Sequence, residues 1–427
     1  MKPQIVKELE ALQKAGVLSA EAAEDIRSYY QKKGSGAPAR MLIVFSILGA
    51  ALVGLGVILI IAHNWDDLSR PIKSLLALVP LLMAQGLCAY ALWRKRESRA
   101  WREAAGVLLF FAVGASISLI SQIYNIPGSL DTFLLTWMAL CLPVLYIMDS
   151  SMSSLLYLIG ITTYAAEAGY WNWRGDDPYL YWLLLALVVP YYIRLIKNQP
   201  GGNFTSFHNW FIPGSLLMAL GTLTQDAPEY MFMAYLALLG IFYLIGNRDF
   251  LKNSKIRNNG YLVQGSLGTM GILLALSFNW FWKDMATGDL SDWSTAPELW
   301  LSIILILAGL VLLVRYQRFT SKDLVPQELL FIIFVPIFFM GSHWPVLSQV
   351  LINACVFLMG LFVIRKGARQ DHLGVLNYGL LIITALVICR FFDTNMSFVL
   401  RGMLFVAVGV GFFLANYFLI KSRKAHV

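Results

Sequence analysis

Charged side chains are scarce in this chain of 427 residues, at 14% of the total, against roughly 25% in an ordinary soluble domain. Too few remain to coat a water-facing surface, and the 58% of hydrophobic residues exceeds what a soluble core holds. The same scarcity excludes disordered chains and charge-laced coiled coils. Cysteine is nearly missing: Cys88, Cys141, Cys355 and Cys389 all sit in apolar runs and no CxxC occurs, which excludes a disulfide scaffold and argues against redox work. Signatures of soluble chemistry are absent as well. There is no phosphate-cradling GxxxxGK[ST], no GxSxG elbow and no HExxH, so no nucleotide motor, hydrolase elbow or zincin site is built in. No loop is long enough to hide a soluble catalytic domain. The first forty residues are polar, so no cleavable secretion signal is expected and residues 41–62 read as the first anchor.

Long apolar runs fill the space left by these absences. A hydrocarbon core about 30 Å thick needs about 20 apolar helical residues, and backbone groups in lipid must be satisfied internally, which makes each run a helix. Fourteen are expected: 41–62, 72–93, 104–124, 130–148, 152–170, 179–196, 207–223, 229–246, 260–282, 297–315, 326–343, 346–364, 373–391 and 397–420. The eleventh is the weakest because Pro336 interrupts it. The expected class is therefore all-α, a polytopic helical membrane protein. Its parts are a cytoplasmic helical hairpin (1–40), a first bundle (41–196), two connecting helices (207–246), a second bundle (260–420) and a basic tail (421–427).

The charges test this count. With the N-terminus in the cytoplasm and each helix reversing sides, 27 Lys and Arg fall inside and 6 outside, while Asp and Glu divide 12 and 13. Arg94-Lys95-Arg96, Arg315/Arg318/Lys322 and Arg365-Lys366-Arg369 all land inside, as the positive-inside rule requires. The sequence thus predicts a multi-pass plasma (inner) membrane protein with both termini cytoplasmic, and its net charge of +8 needs no nucleic acid as partner. Trp65, Trp171, Trp173, Trp280, Trp282 and Trp344 lie at outer helix ends and read as an interfacial belt. In the hairpin, Val6, Leu9 and Leu12 make one stripe, Gly16 stops that helix, and Ser19 caps a second carrying Ala22, Ile26 and Tyr29. Two short helices cannot bury a core alone, so the hairpin leans on the membrane body, a second copy or a partner.

The run ending Ala62-His63-Asn64-Trp65 and the run ending Ser277-Phe278-Asn279-Trp280 share Gly, Leu and the Asn-Trp pair at one offset. Carried forward, that register pairs the first six helices with the last six, as parallel repeats do in several transporters; chance agreement in a biased alphabet is the alternative. Ionisable residues at membrane depth are the better lead to a site. Glu167, Arg390 and Arg401 qualify, with Asp393 just beyond Arg390. They serve either as a polar cavity open to the outer face, binding an anionic or sugar group, or as snorkelling and structural pairs. Gly114, Ser118 and Gln122 form a polar stripe at i, i+4, i+8, matched by Gln349 and Asn353; such stripes line cavities or join helices. In the first outer loop, Asp66 and Asp67 read either as catalytic carboxylates or as a turn before a helix that Ser69 caps and Pro71 opens. His63 and His343 lie outside while His208, His372 and His426 lie inside, so no three can share a zinc ion. No metal or cofactor is expected.

The segments Leu12-Gln13-Lys14-Ala15-Gly16-Val17-Leu18-Ser19, Leu48-Gly49 through Gly54-Leu55-Gly56, Ala62-His63-Asn64-Trp65-Asp66 and Ser118-Leu119-Ile120-Ser121-Gln122-Ile123-Tyr124 carry a resemblance. Over roughly residues 5–165 the chain resembles a bacterial family of predicted membrane proteins of unassigned function, domain of unknown function family 2157. The resemblance implies a bacterial plasma membrane and marks His63, Asn64, Trp65, Asp66, Gln122 and Tyr124 as motif positions, with no mechanism attached. Three functions stay open: a transporter or flippase with an outward polar cavity, a non-catalytic sensor or scaffold recruiting a partner through residues 1–40, and a membrane-embedded transferase acting on a lipid-linked substrate. The first is preferred, and a non-enzyme over an enzyme.

Overall fold

The computed structural model describes residues 15–33, 67–171, 178–224, 227–247, 255–287, 296–320 and 325–393, with isolated positions before 15, at 251 and between 399 and 417. Among them every regular element is helical. The chain divides into residues 1–77 and 78–427. In the first, Gly16 adopts a left-handed φ of +69°, the conformation only glycine takes at no cost, and the amides of Val17 and Leu18 turn back to the Leu12 carbonyl. Ser19 then accepts from the Ala22 amide at 3.2 Å and opens α1 (Ala20–Lys33).

α2 (Arg70–Arg94) crosses the division. The larger unit continues with α3 (Arg99–Ile123), α4 (Leu130–Ile147) and α5 (Ser151–Ala166), which runs on as a π-helical turn, Glu167–Trp171. Then follow α6 (Tyr179–Asn198), α7 (Asn203–Gly221), α8 (Met231–Gly246), α9 (Gly260–Ala275) and the short α10 (Asn279–Thr287). α11 (Pro297–Thr320), α12 (Pro326–Gly341), α13 (Pro345–Arg369) and α14 (Leu373–Asp393) complete the order. Among the described residues, eight helices are long and apolar enough to cross a membrane, nine if the bent pair α9 and α10 counts as one crossing. The runs at 41–62 and, for the most part, 397–420 lie outside the described residues, while α5 and α12 are short, at 16 residues each. α7 carries His208 and Asn209, both buried, which a helix can afford in lipid only with partners. His208 meets Ser154 at 2.9 Å through Nε2 and the Phe204 carbonyl at 2.8 Å through Nδ1, and Asn209 accepts from the Tyr192 hydroxyl at 2.6 Å.

α8 is the axis of the unit. Nearly all its side chains are buried, and it packs against α9, α11 and α12. One side of it joins an apolar cluster with α4–α7 through Ala234, Leu238 and Phe242; the other joins α10–α14 through Met233, Leu236 and Ala237. Where α8 meets α9, glycine brings the backbones together: a Cβ on Gly265 would stand 2.6 Å from the Tyr243 nitrogen. α13 and α14 meet in the same way, with Gly379 against Ile364. Lipid offers no hydrophobic force between helices, so such close van der Waals approach and buried polar pairs hold them. Ser215 on α7 meets the Thr162 hydroxyl at 2.5 Å and the Tyr181 hydroxyl at 2.7 Å, tying α5, α6 and α7.

Among the described residues, hydrogen bonds between helix ends join segments that the charge pattern assigns to one side. Arg99 reaches Gln199 at 2.6 Å and Ser151 at 2.9 Å, and Arg102 pairs with Asp149 at 3.2 Å. Asn209 and Trp210 donate to the carbonyls of Asn258 and Arg257. At the opposite ends, the Ala227 amide donates to Glu298. Of the tryptophans assigned to the outer belt, Trp171, Trp280 and Trp344 are exposed, but Trp282 is fully buried, its Nε1 donating to the Leu276 carbonyl at 2.7 Å. That position is a packing residue, displaced from the belt by the turn that precedes it.

Candidate polar site at a broken membrane helix

The run 260–282, expected as one helix, breaks. α9 stops at Ala275, α10 begins at Asn279, and their axes differ by 67°. Sixteen residues at about 1.5 Å each carry α9 about 24 Å. That is short of the about 30 Å hydrocarbon core, so a crossing that starts with α9 at one interface breaks before it reaches the other. Non-helical backbone is tolerated there only when other groups satisfy it, and the residues that do so define the site.

Local turns take the first share: the amides of Ser277 and Phe278 reach back to Leu274 and Ala275, and the Ser277 hydroxyl donates to the Leu274 carbonyl at 2.6 Å. The Ser277 carbonyl, left over, accepts from Gln349 Nε2 and Asn353 Nδ2, both at 3.1 Å. The two amides stand four apart on α13 and so share one face. From α14, Arg390 donates to the Ser277 hydroxyl at 3.1 Å and to Asp393 at 2.5 Å, and its guanidinium lies 5.4 Å from the Phe278 ring. Asp393 in turn accepts from Gln349 at 3.0 Å and, at 3.4 Å, from the Asn279 amide. A carboxylate at the amino end of α10 sits where the helix dipole favours it. Arg390 and Asp393 are 17% and 13% exposed, and Ser277 is fully buried.

The network is not saturated. Asn353 spends its amide hydrogens on the carbonyls of Ser277 and Gln349, which fixes the orientation of the amide and leaves Oδ1 as the spare atom. That oxygen and Asn279 Oδ1 are buried without a hydrogen-bond partner. Buried acceptors left this way each cost about 1–3 kcal/mol.

The other residues singled out from the sequence scatter. Glu167 begins the π-helical turn after α5, half-buried, with no ion-pair partner among the described residues. Ser118 is half-buried on α3, while Gln122 and Tyr124 are exposed at its end. Gly114, first in their stripe, is a contact with α4: a Cβ there would lie 2.5 Å from the Trp137 ring. A hollow of about 470 Å³ opens on the neighbouring face, lined by Ser116, Ser121, Ser129, Thr132 and Thr136 with Ile126. His63, Asn64, Trp65, Asp66 and Arg401 lie outside the described residues. Among the described residues, no three His, Cys, Asp or Glu side chains come close enough to share a metal ion. Sequence reasoning missed Ser277 and the role of Asn279. The Asn-Trp pair marked the place, but a solid apolar run hid the break.

Comparison with known proteins agrees with a membrane assignment and adds no chemistry. No curated protein and no solved structure matches the chain. Residues 10–154, about the first third of the chain, match the model of a family described as a predicted membrane protein, DUF2157, so over that stretch the chain is similar to a family known by its place in the membrane.

Proposed function

We propose that this multi-pass membrane protein is a transporter or flippase that binds a small hydroxylated group, such as a sugar, at the break between α9 and α10. One observation carries the reading: the interrupted helix at membrane depth, cradled by Gln349, Asn353, Arg390 and Asp393, with two buried amide oxygens unpartnered. Discontinuous helices of this kind hold the substrate in several transporter folds. Arg390 donates to Asp393 and Ser277, and the two unpartnered amide oxygens are acceptors, which suit hydroxyl donors. The two apolar clusters on either side of α8 support an arrangement of two helical halves about that axis. The basic helix ends, taken as cytoplasmic in a plasma membrane, put the break toward the outer face.

The test uses purified full-length protein in proteoliposomes, challenged with labelled monosaccharides and polyols alongside organic anions. The expected result is uptake or binding of a hydroxylated solute that falls at least tenfold in Asn353→Leu while the protein stays monodisperse. Absence of any such solute, or full activity in Asn353→Leu, would remove the proposal. A scaffold role for the hairpin is the second reading, supported by Leu12 and Val17, which are 39% and 71% exposed on it. Deleting residues 1–38 without loss of function or partners would exclude that role.

A further inference from the structure

A second hollow, far along α9 from the break, has the form of a lipid site. It occupies about 330 Å³ near the start of α9, between α9, α13 and α14, and its walls are chiefly apolar, Val263, Leu267, Phe362 and Val375 among them. Ile256 and Leu267 on its rim are 57% and 51% exposed, so the slot reaches the surface that faces the bilayer. A few polar groups line it, already joined to one another: Gln327 donates to the Ser266 hydroxyl at 2.7 Å, and that hydroxyl meets Tyr378 at 3.0 Å.

Next to this slot lies a second hollow of about 340 Å³ of opposite character, formed by Phe362, Arg365, Lys366, Arg369 and Gln370. Phe362 and Lys366 belong to both. An apolar slot open to lipid therefore runs into a basin with three cations at the end of α13. The bland explanation for the cations is the sidedness rule together with the dipole at the carboxyl end of the helix. It accounts for their sign, but not for an apolar cleft leading into them. None of the three forms an ion pair among the described residues; Lys366 feels the buried Glu328 carboxylate electrostatically, while Arg365 and Arg369 are exposed.

We infer that the two hollows together bind an anionic phospholipid, with an acyl chain in the slot and the phosphate against Arg365, Lys366 and Arg369. Basic pockets between membrane helices are suited to such headgroups, and each cation near the surface adds to the attraction. The site is independent of the break between α9 and α10 and of whatever ligand binds there.

The test measures lipid retention by native mass spectrometry and thermal stabilisation of the full chain in detergent. The probes are phosphatidylglycerol, phosphatidylcholine of the same chain length, and inorganic phosphate. Phosphatidylglycerol should bind at least tenfold more tightly than phosphatidylcholine, and inorganic phosphate should fail to displace it. Replacing Arg365, Lys366 and Arg369 with Gln should abolish that preference, whereas Arg94→Gln with Lys95→Gln and Arg96→Gln, the same loss of charge elsewhere, should preserve it. A photoactivatable phosphatidylglycerol should label the segment 362–378 in the unaltered protein, which keeps the inference testable if a variant fails to fold. Equal loss in both triple variants, displacement by inorganic phosphate, or labelling elsewhere would overturn it.

Discussion

Arg390 and Asp393 matter most as a pair. Both are largely shielded, and removing one partner of a buried pair costs about 3–5 kcal/mol because the other charge is left in a poor medium. Replacing both with apolar residues costs far less. Arg390→Met and Asp393→Leu should each lower the unfolding temperature sharply in detergent, and the double variant should recover part of the loss. Tryptophan fluorescence would follow the cycle; a coupling energy below about 0.5 kcal/mol, the scatter of independent sites, would deny the pair its role. Its partners were partly legible. Asp393 stands three residues from Arg390, hence on the same helical face, and the i, i+4 spacing of Gln349 and Asn353 put them on one face of another. Ser277 was not legible, because a serine among apolar residues carries no sign that its carbonyl will be exposed by a break. Glu103 was likewise read only as a charge, yet its carboxylate accepts from the Ser151 and Met152 amides, both at 2.9 Å, and caps α5. Glu103→Ala should therefore cost about 1 kcal/mol of stability, detectable as a lower melting temperature; an unchanged one would show that water replaces the cap.

Helices were legible where periodicity and length agree, and obscure where they end by other means. The expected runs at 72–93, 130–148 and 373–391 match α2, α4 and α14 closely. Three helix ends use a left-handed residue other than glycine, namely Asn125, Asp149 and Asp371. Each is closed by an amide five residues beyond its carbonyl partner, as from His372 to Gly367. Glycine marks such ends in a sequence; Asn and Asp serve too but occur in many other roles. Glycine in this bundle does a different job, letting backbones touch. Gly265→Val and Gly379→Leu should each destabilise by about 1–3 kcal/mol through overpacking, whereas Gly271→Ala, which meets nothing within 4 Å, should be tolerated. Equal melting temperatures for all three variants would refute that account of how α8 meets α9 and α13 meets α14.

For the whole molecule, hydrophobic runs carried the all-helical membrane class, because lipid permits few solutions. They could not reveal which apolar residues face protein and which face lipid, since both surroundings accept leucine. Sidedness is directly testable. In a cysteine-free background, single cysteines replacing Lys95 and Arg369 should react with an impermeant maleimide from one side of sealed vesicles, and one replacing Lys283 from the other. Labelling of all three from the same side would break the order of crossings described above.

The bend after Ala275 also has a mechanical meaning. Beyond it the amides of Ser277 and Phe278 reach back only three residues, to Leu274 and Ala275, so α10 takes a direction of its own. The deep part of α9 is clamped to α8 through Gly265, whereas the start of α10 is held by Asp393 at 3.4 Å and by Trp282, whose Nε1 donates to the Leu276 carbonyl at 2.7 Å. Phe281, Trp282 and Met285, buried among the neighbouring helices, seat the outer piece like a wedge, while the inner piece stays fixed as the doorpost.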